Sequence, residues 1–162
     1  MRRTVKTAIT LLGILLAAGQ AFSADFYMEA KGAYFRPLDS VFREIYGSGA
    51  AYGGELGFNF KSGIGVWMGG DYFSKTGKLT YTEEETKIRV VPLAVGIRYN
   101  FELSNLVPYV SAGLGYFQFK ESNPIGTIED SDIGFIGKIG INWRIGSMFF
   151  LDFFGSYSHC RV

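Results

Sequence analysis

Seven charged residues share one parity within otherwise apolar, glycine-rich stretches: Glu29, Lys31, Glu55, Asp71, Arg98, Lys138 and Asp152. Carboxylates and amines in such surroundings either run acid–base chemistry or neutralise one another. Acid–base work needs a carboxyl poised beside a substrate. Mutual neutralisation needs only that buried charges be paired and hydrogen-bonded. Acids and bases here nearly balance, with Arg144 near one rim, and internal salt bridges are the expected role. A second candidate is His159, the sole histidine, with Ser156 and Ser158 close in sequence. A nucleophile needs its base within hydrogen-bond reach. In an extended strand Ser158 falls on the opposite side from His159, and position 161 is Arg rather than Ser, so no catalytic residue is assigned. The run Glu83–Glu85 beside Lys75, Lys78 and Lys87 would suit divalent cations or lipopolysaccharide, but reads more simply as a solvated loop tip. Cys160 stands alone, which excludes an internal disulfide. No metal-ligand cluster, phosphate loop or cofactor motif is found.

The elements that must position these residues are strands. Seven stretches alternate with period two, at about 25–36, 51–60, 63–74, 87–101, 107–119, 132–144 and 148–158. The breaks between them alternate in length. Those at 61–63, 102–106 and 145–147 are short. Those at 37–50, 76–86 and 121–132 are long. Within the first long break, Val41 to Tyr46 suits a helical turn stopped by Gly47. The second would prolong its hairpin.

Each strand divides into two rows. One is apolar and uncharged, as in Leu93, Val95, Ile97, Tyr99 and Phe101. The other holds the seven charges, with Asn59 and Asn142, many glycines, Trp67, Phe117, Phe150 and Phe154. In a soluble, lipocalin-like cup the oily row would face inward. Two features favour the reverse. Aromatics on the oily row gather at the strand ends, with Tyr34, Tyr52, Tyr72, Tyr116 and Tyr157 at one level and Phe26, Phe58, Phe60, Tyr99, Phe101, Trp143 and Phe149 at the other. Two aromatic girdles around an aliphatic band fit the two interfaces of a bilayer. The polar row also mixes Gly with large aromatics, as the filled bore of a narrow barrel requires. A lipid-facing Arg or Lys at mid-membrane costs roughly 2–4 kcal/mol, and the oily row holds none. Arg89 shares its parity but lies beyond the loop end, at headgroup level.

Length and composition agree. The chain has 162 residues, enough for one domain, with 22 glycines, 17% aromatic and 19% charged residues. A net charge of +1 argues against nucleic acid. The first residues read as an export signal: Arg2, Arg3 and Lys6, then the apolar Ala8–Gly19, then the small residues of Ala21–Ser23. Cleavage after Ser23 is expected, with Ala21 and Ala24 as alternatives. The apolar run is short of the ~20 residues a spanning helix needs. Residues 1–23 are thus a signal peptide and 24–162 the mature domain. Later apolar runs are shorter still, so any membrane crossing must be by strands.

At 32–37 (GAYFRP), 88–101 (IRVVPLAVGIRYNF) and 108–117 (PYVSAGLGYF) the chain resembles the outer-membrane β-barrel domain family, small eight-stranded barrels akin to OmpA, OmpX and OmpW. The resemblance covers about 24–158. It implies an all-β, antiparallel up-and-down transmembrane barrel in the outer membrane of a Gram-negative bacterium. It implies contact with outer-membrane lipid and lipopolysaccharide, and delivery by periplasmic chaperones and the barrel-assembly machinery. It fixes no single activity, since relatives include anchors, adhesins, small-solute pores and lipid A enzymes. Seven strands of the eight-strand type are present, and no terminal aromatic strand follows Val162. The expectation is a C-terminally incomplete barrel, monomeric unless a partner supplies a strand. The expected role is structural or surface-interacting, with a plugged, charge-paired lumen. An OmpW-like solute-binding or weakly conducting barrel is the alternative, and a lipid A-modifying enzyme is the least favoured.

Overall fold

The structure, a computed structural model, describes residues 24–78, 85–124, 126–145 and 149–160. The region read as a signal peptide lies outside the described residues. Seven strands and one short helix follow in order: β1 (Ala24–Phe35), α1 (Ser40–Tyr46), β2 (Gly49–Phe60), β3 (Ile64–Lys78), β4 (Glu85–Asn100), β5 (Leu106–Asn123), β6 (Gly126–Ile145) and β7 (Phe149–His159). The strands form one antiparallel sheet in sequence order, β1 to β7. Among the described residues no helix is long and apolar enough to cross a membrane, which says nothing of strands.

Register carries the two rows across the whole sheet. One rung joins Met28, Leu56, Met68, Val95, Leu114 and Phe135, each to the next. Because side chains alternate along every strand, one in-register ladder puts all these residues on one face. That face is the outer one. Leu93, Val95 and Ile97 are 51%, 57% and 62% exposed, whereas Glu55 on the other face is 2% exposed. The sheet is therefore inverted relative to a soluble barrel, as a lipid surround requires. Aromatic pairs stand at both ends of the outer face: Tyr52 with Tyr72 at one, Phe26 with Phe58 and Tyr99 with Phe101 at the other.

Strand ends agree with the sequence reading except at one place. The stretch 121–132, expected as a long loop, is mostly ladder. Ser122 pairs with Thr127 and Asn123 with Gly126, so β5 and β6 run out as one hairpin. Asn123 Oδ1 accepts from the Gly126 amide at 2.9 Å, and Pro124 stands second in the turn. An Asn-Pro-x-Gly tetrad is turn chemistry, and it needs four residues rather than twelve. The β3–β4 hairpin is prolonged as expected, with Lys78 opposite Glu85.

The helix begins where Asp39 Oδ1 accepts from the Phe42 amide at 2.8 Å. It stops at Gly47, whose φ of +67° suits glycine. It folds back into the mouth at the long-hairpin end. There Tyr46 packs with Phe73, Ile88 and Val90, flanked by Phe35, Phe42 and Phe119. A second apolar cluster, Trp67, Ala94, Phe117 and Ile136, lies inside the sheet. Trp67 has room because Gly96 and Gly113 face it. A Cβ on Gly96 would come 2.7 Å from the indole.

β1 and β7 run in the same direction and form no ladder with each other, so among the described residues the sheet has two free edges. Their inward side chains nonetheless meet. The Tyr27 and Phe150 rings are 6.3 Å apart, and Lys31 Nζ lies 5.9 Å from the Phe154 ring.

Candidate functional site

The inward charges come from six strands, and the curvature of the sheet gathers them. Glu55 on β2 is the centre. Its Oε1 accepts from Arg98 of β4 at 2.8 Å and from the Tyr27 hydroxyl of β1 at 2.8 Å. Its Oε2 accepts from Lys31 of β1 at 3.4 Å and from Lys138 of β6. Three cations thus converge on one carboxylate whose side chain is almost wholly buried. Asp71 on β3 joins through Lys31, at 3.6 Å, but is partly exposed.

The other two acids stand apart. Glu29 and Asp152 form no ion pair with Lys or Arg among the described residues. Asp152 Oδ2 accepts from the Tyr109 hydroxyl at 2.8 Å. Glu29 Oε2 and Asp152 Oδ1 are buried without a hydrogen-bond partner, as is Oδ1 of Asn142, which lies opposite Asp152. Buried polar atoms in native proteins are paired with protein or ordered water. Glu29 stands directly opposite Glu55, so ordered water belongs beside the ion-pair layer itself. Nearer the short turns, Asn100 Nδ2 donates to Asn59 Oδ1 at 2.9 Å.

Sequence reasoning put Trp67 on this row but missed Tyr27 and Tyr109. Arg98 stacks 3.9 Å from the Tyr109 ring and 5.2 Å from the Tyr27 ring, and Lys138 Nζ sits 3.6 Å over Trp67. A cation on a ring face gains about 2 kcal/mol when desolvated. The signal was available, since Tyr27 and Tyr109 share the parity of the charges.

Above this layer α1 packs against the inner face through Tyr46. The Tyr46 hydroxyl meets Thr86 Oγ1 at 3.3 Å, and Thr86 donates to Glu121 at 3.0 Å. Burial pushes the Tyr46 phenol above its ordinary range.

The remaining candidates do not assemble. Ser156 and Ser158 lie opposite Lys138 and Ile136 on the bore row, whereas His159 lies opposite Phe135 on the outer row. Glu83, Glu84 and Arg161 fall outside the described residues. Lys75 and Lys87 fall on opposite rows, and of Lys78 only the backbone is described. Cys160 is a free thiol packed beside the Trp67 cluster. Arg144 pairs with Glu102 at 3.1 Å on the rim.

Comparison with known proteins matches the geometry. Residues 8–160 match the model of a family described as outer membrane protein beta-barrel domain. Among solved structures, the chain is similar to Ail, the attachment invasion locus protein of Yersinia pestis, crystallised with the heparin analogue sucrose octasulfate. Identity is 14% and the TM-score 0.50, over 83% of this chain and 85% of that one, which is a likeness of fold. No curated protein matches the chain.

Proposed function

The chain belongs to the outer membrane protein β-barrel domain family, and from that membership we propose a non-enzymatic barrel with a plugged, charge-paired bore that acts through its surface hairpins. It resides in the cell outer membrane. Residues 1–23 serve as its export signal, and periplasmic chaperones and the barrel-assembly machinery deliver it. The long-hairpin end faces outward and carries the contacts with lipopolysaccharide and other surface molecules.

One observation carries this reading: Glu55 draws Lys31, Arg98 and Lys138 from three strands across the bore. Charges tied in this way block the path rather than line it. The docking of α1 on the inner face adds a second obstruction. The separation of His159 from Ser156 and Ser158 onto opposite rows supports a role without catalysis.

Planar-bilayer recording on the full chain tests the proposal. The wild-type protein is expected to show no steady conductance, and a stable open level would defeat the plugged bore. The partnerless oxygens of Glu29, Asp152 and Asn142 favour the second reading, a weakly conducting barrel with water beside the ion-pair layer. Under it, Lys138→Ala and Asp152→Ala shift conductance and ion selectivity in opposite directions.

A further inference from the structure

We propose that Glu29 of β1 and Asp152 of β7 hold one proton between them, as a carboxyl donating to a carboxylate, and so tie the two sheet edges together inside the bore. These are the two acids that the Glu55 network leaves out, and the plugged bore does not depend on them.

β1 and β7 share no ladder, yet their inward side chains keep a common parallel register. Tyr27 meets Phe150, and Lys31 meets Phe154. Between these contacts, two residues on from the first in each strand and on the same face, stand Glu29 and Asp152. Their carboxyls come within hydrogen-bonding reach of each other. Glu29 is 9% exposed. Its Oε2 and Asp152 Oδ1 are both buried with no donor to meet them. Two carboxylates cannot hydrogen-bond each other, because both only accept. A single proton makes one of them a donor, which is how buried polar atoms are ordinarily satisfied.

The surroundings of the pair call for the same proton. Facing it are Tyr27 and Lys31 of β1, Glu55 of β2, Arg98 of β4 and Tyr109 of β5. Both cations bond Glu55, as does Lys138 of β6, and Lys31 also reaches Asp71. The Tyr27 hydroxyl donates to Glu55, and that of Tyr109 to Asp152 Oδ2. No donor is left for the facing oxygens of the pair. Around Glu55, the acids Glu29, Glu55, Asp71 and Asp152 stand against Lys31, Arg98 and Lys138. One proton on the pair leaves that set neutral. Two carboxylates that share a buried site do not both ionise. A metal ion would also bridge them, but among the described residues no three acidic, histidine or cysteine side chains gather as a metal site. Arg98 beside the pair further opposes a second bulky cation.

The test is infrared spectroscopy of the full chain at neutral pH in maltoside micelles, which carry no ester carbonyl. Heat-modifiable gel mobility monitors folding. The wild-type protein is expected to show the carbonyl band of a protonated carboxylic acid, integrating to one carboxyl per chain. Glu29→Gln should abolish the band, because its amide donates to an ionised Asp152. Asp152→Asn should do the same from the other side, and either folded variant suffices. A wild-type spectrum with no acid band overturns the shared proton. So does a band worth two carboxyls, which gives each acid a proton of its own. The wild-type count therefore decides without any variant. A band that survives in either folded variant places the proton elsewhere and overturns the pair as its holder.

Discussion

At the scale of single residues, Glu55 decides the character of the bore. Its carboxylate compensates Lys31, Arg98 and Lys138 together, so its removal leaves Arg98 and Lys138 without an anion and Lys31 with Asp71 alone. Breaking a buried ion pair costs about 3–5 kcal/mol. Glu55→Gln keeps the shape and the Tyr27 contact while deleting the charge, and should lower the free energy of urea unfolding by about that amount. Lys138→Met should cost less, because Arg98 and Lys31 still hold Glu55. An Glu55→Gln barrel as stable as wild type would mean that water, not Glu55, compensates the cations. Residue types and parity made all seven inward charges legible in the sequence. Parity could not say that Glu29 and Asp152 would stand apart. That depends on distances across the bore, which no single strand contains.

At the scale of elements, α1 was legible as a helix, but its docking was not. Asp39, the run to Tyr46 and Gly47 are local signals, and they set where the helix starts and stops. Its docking against Phe73, Ile88 and Val90 needs β3 and β4 to be curved beneath it. Tyr46→Ala removes the anchoring ring and the Thr86 contact. Trypsin should then cut after Arg43 much faster, while the strands stay protected. Unchanged cleavage at Arg43 would show that the helix is held by something other than Tyr46. The β5–β6 hairpin teaches the reverse lesson. Its acids and its Pro read as loop, yet outside the bilayer a polar ladder is as good as an apolar one. The ion pair of Lys120 with Glu129 and the hydroxyl contact of Ser122 with Thr127 carry the pairing there.

At the scale of the whole molecule, the decisive property is which face meets lipid. The two tryptophans report it independently. Trp143 lies on the outer row, 47% exposed, near the short-turn girdle, and Trp67 is buried in the bore. In vesicles containing brominated lipid, the Trp67→Phe protein, which keeps Trp143, should be strongly quenched. The Trp143→Phe protein, which keeps Trp67, should be quenched little. The opposite order would place the oily row inside and undo the fold assignment. The open edges of β1 and β7 also belong to this scale. Unpaired backbone groups in hydrocarbon cost several kcal/mol each. The side-chain contacts of Tyr27 with Phe150 and Lys31 with Phe154 span that seam within the bore.

The amino-acid sequence by itself determined the strands, their alternate rows, the girdles and therefore the inverted face. Each of these follows from side-chain alternation within one strand and from what lipid tolerates. Only the tertiary structure decided that Glu55 gathers three cations and that Tyr46 docks on Phe73, Ile88 and Val90. Those partners come from different strands, and the pairing and curvature of the sheet bring them within bonding distance.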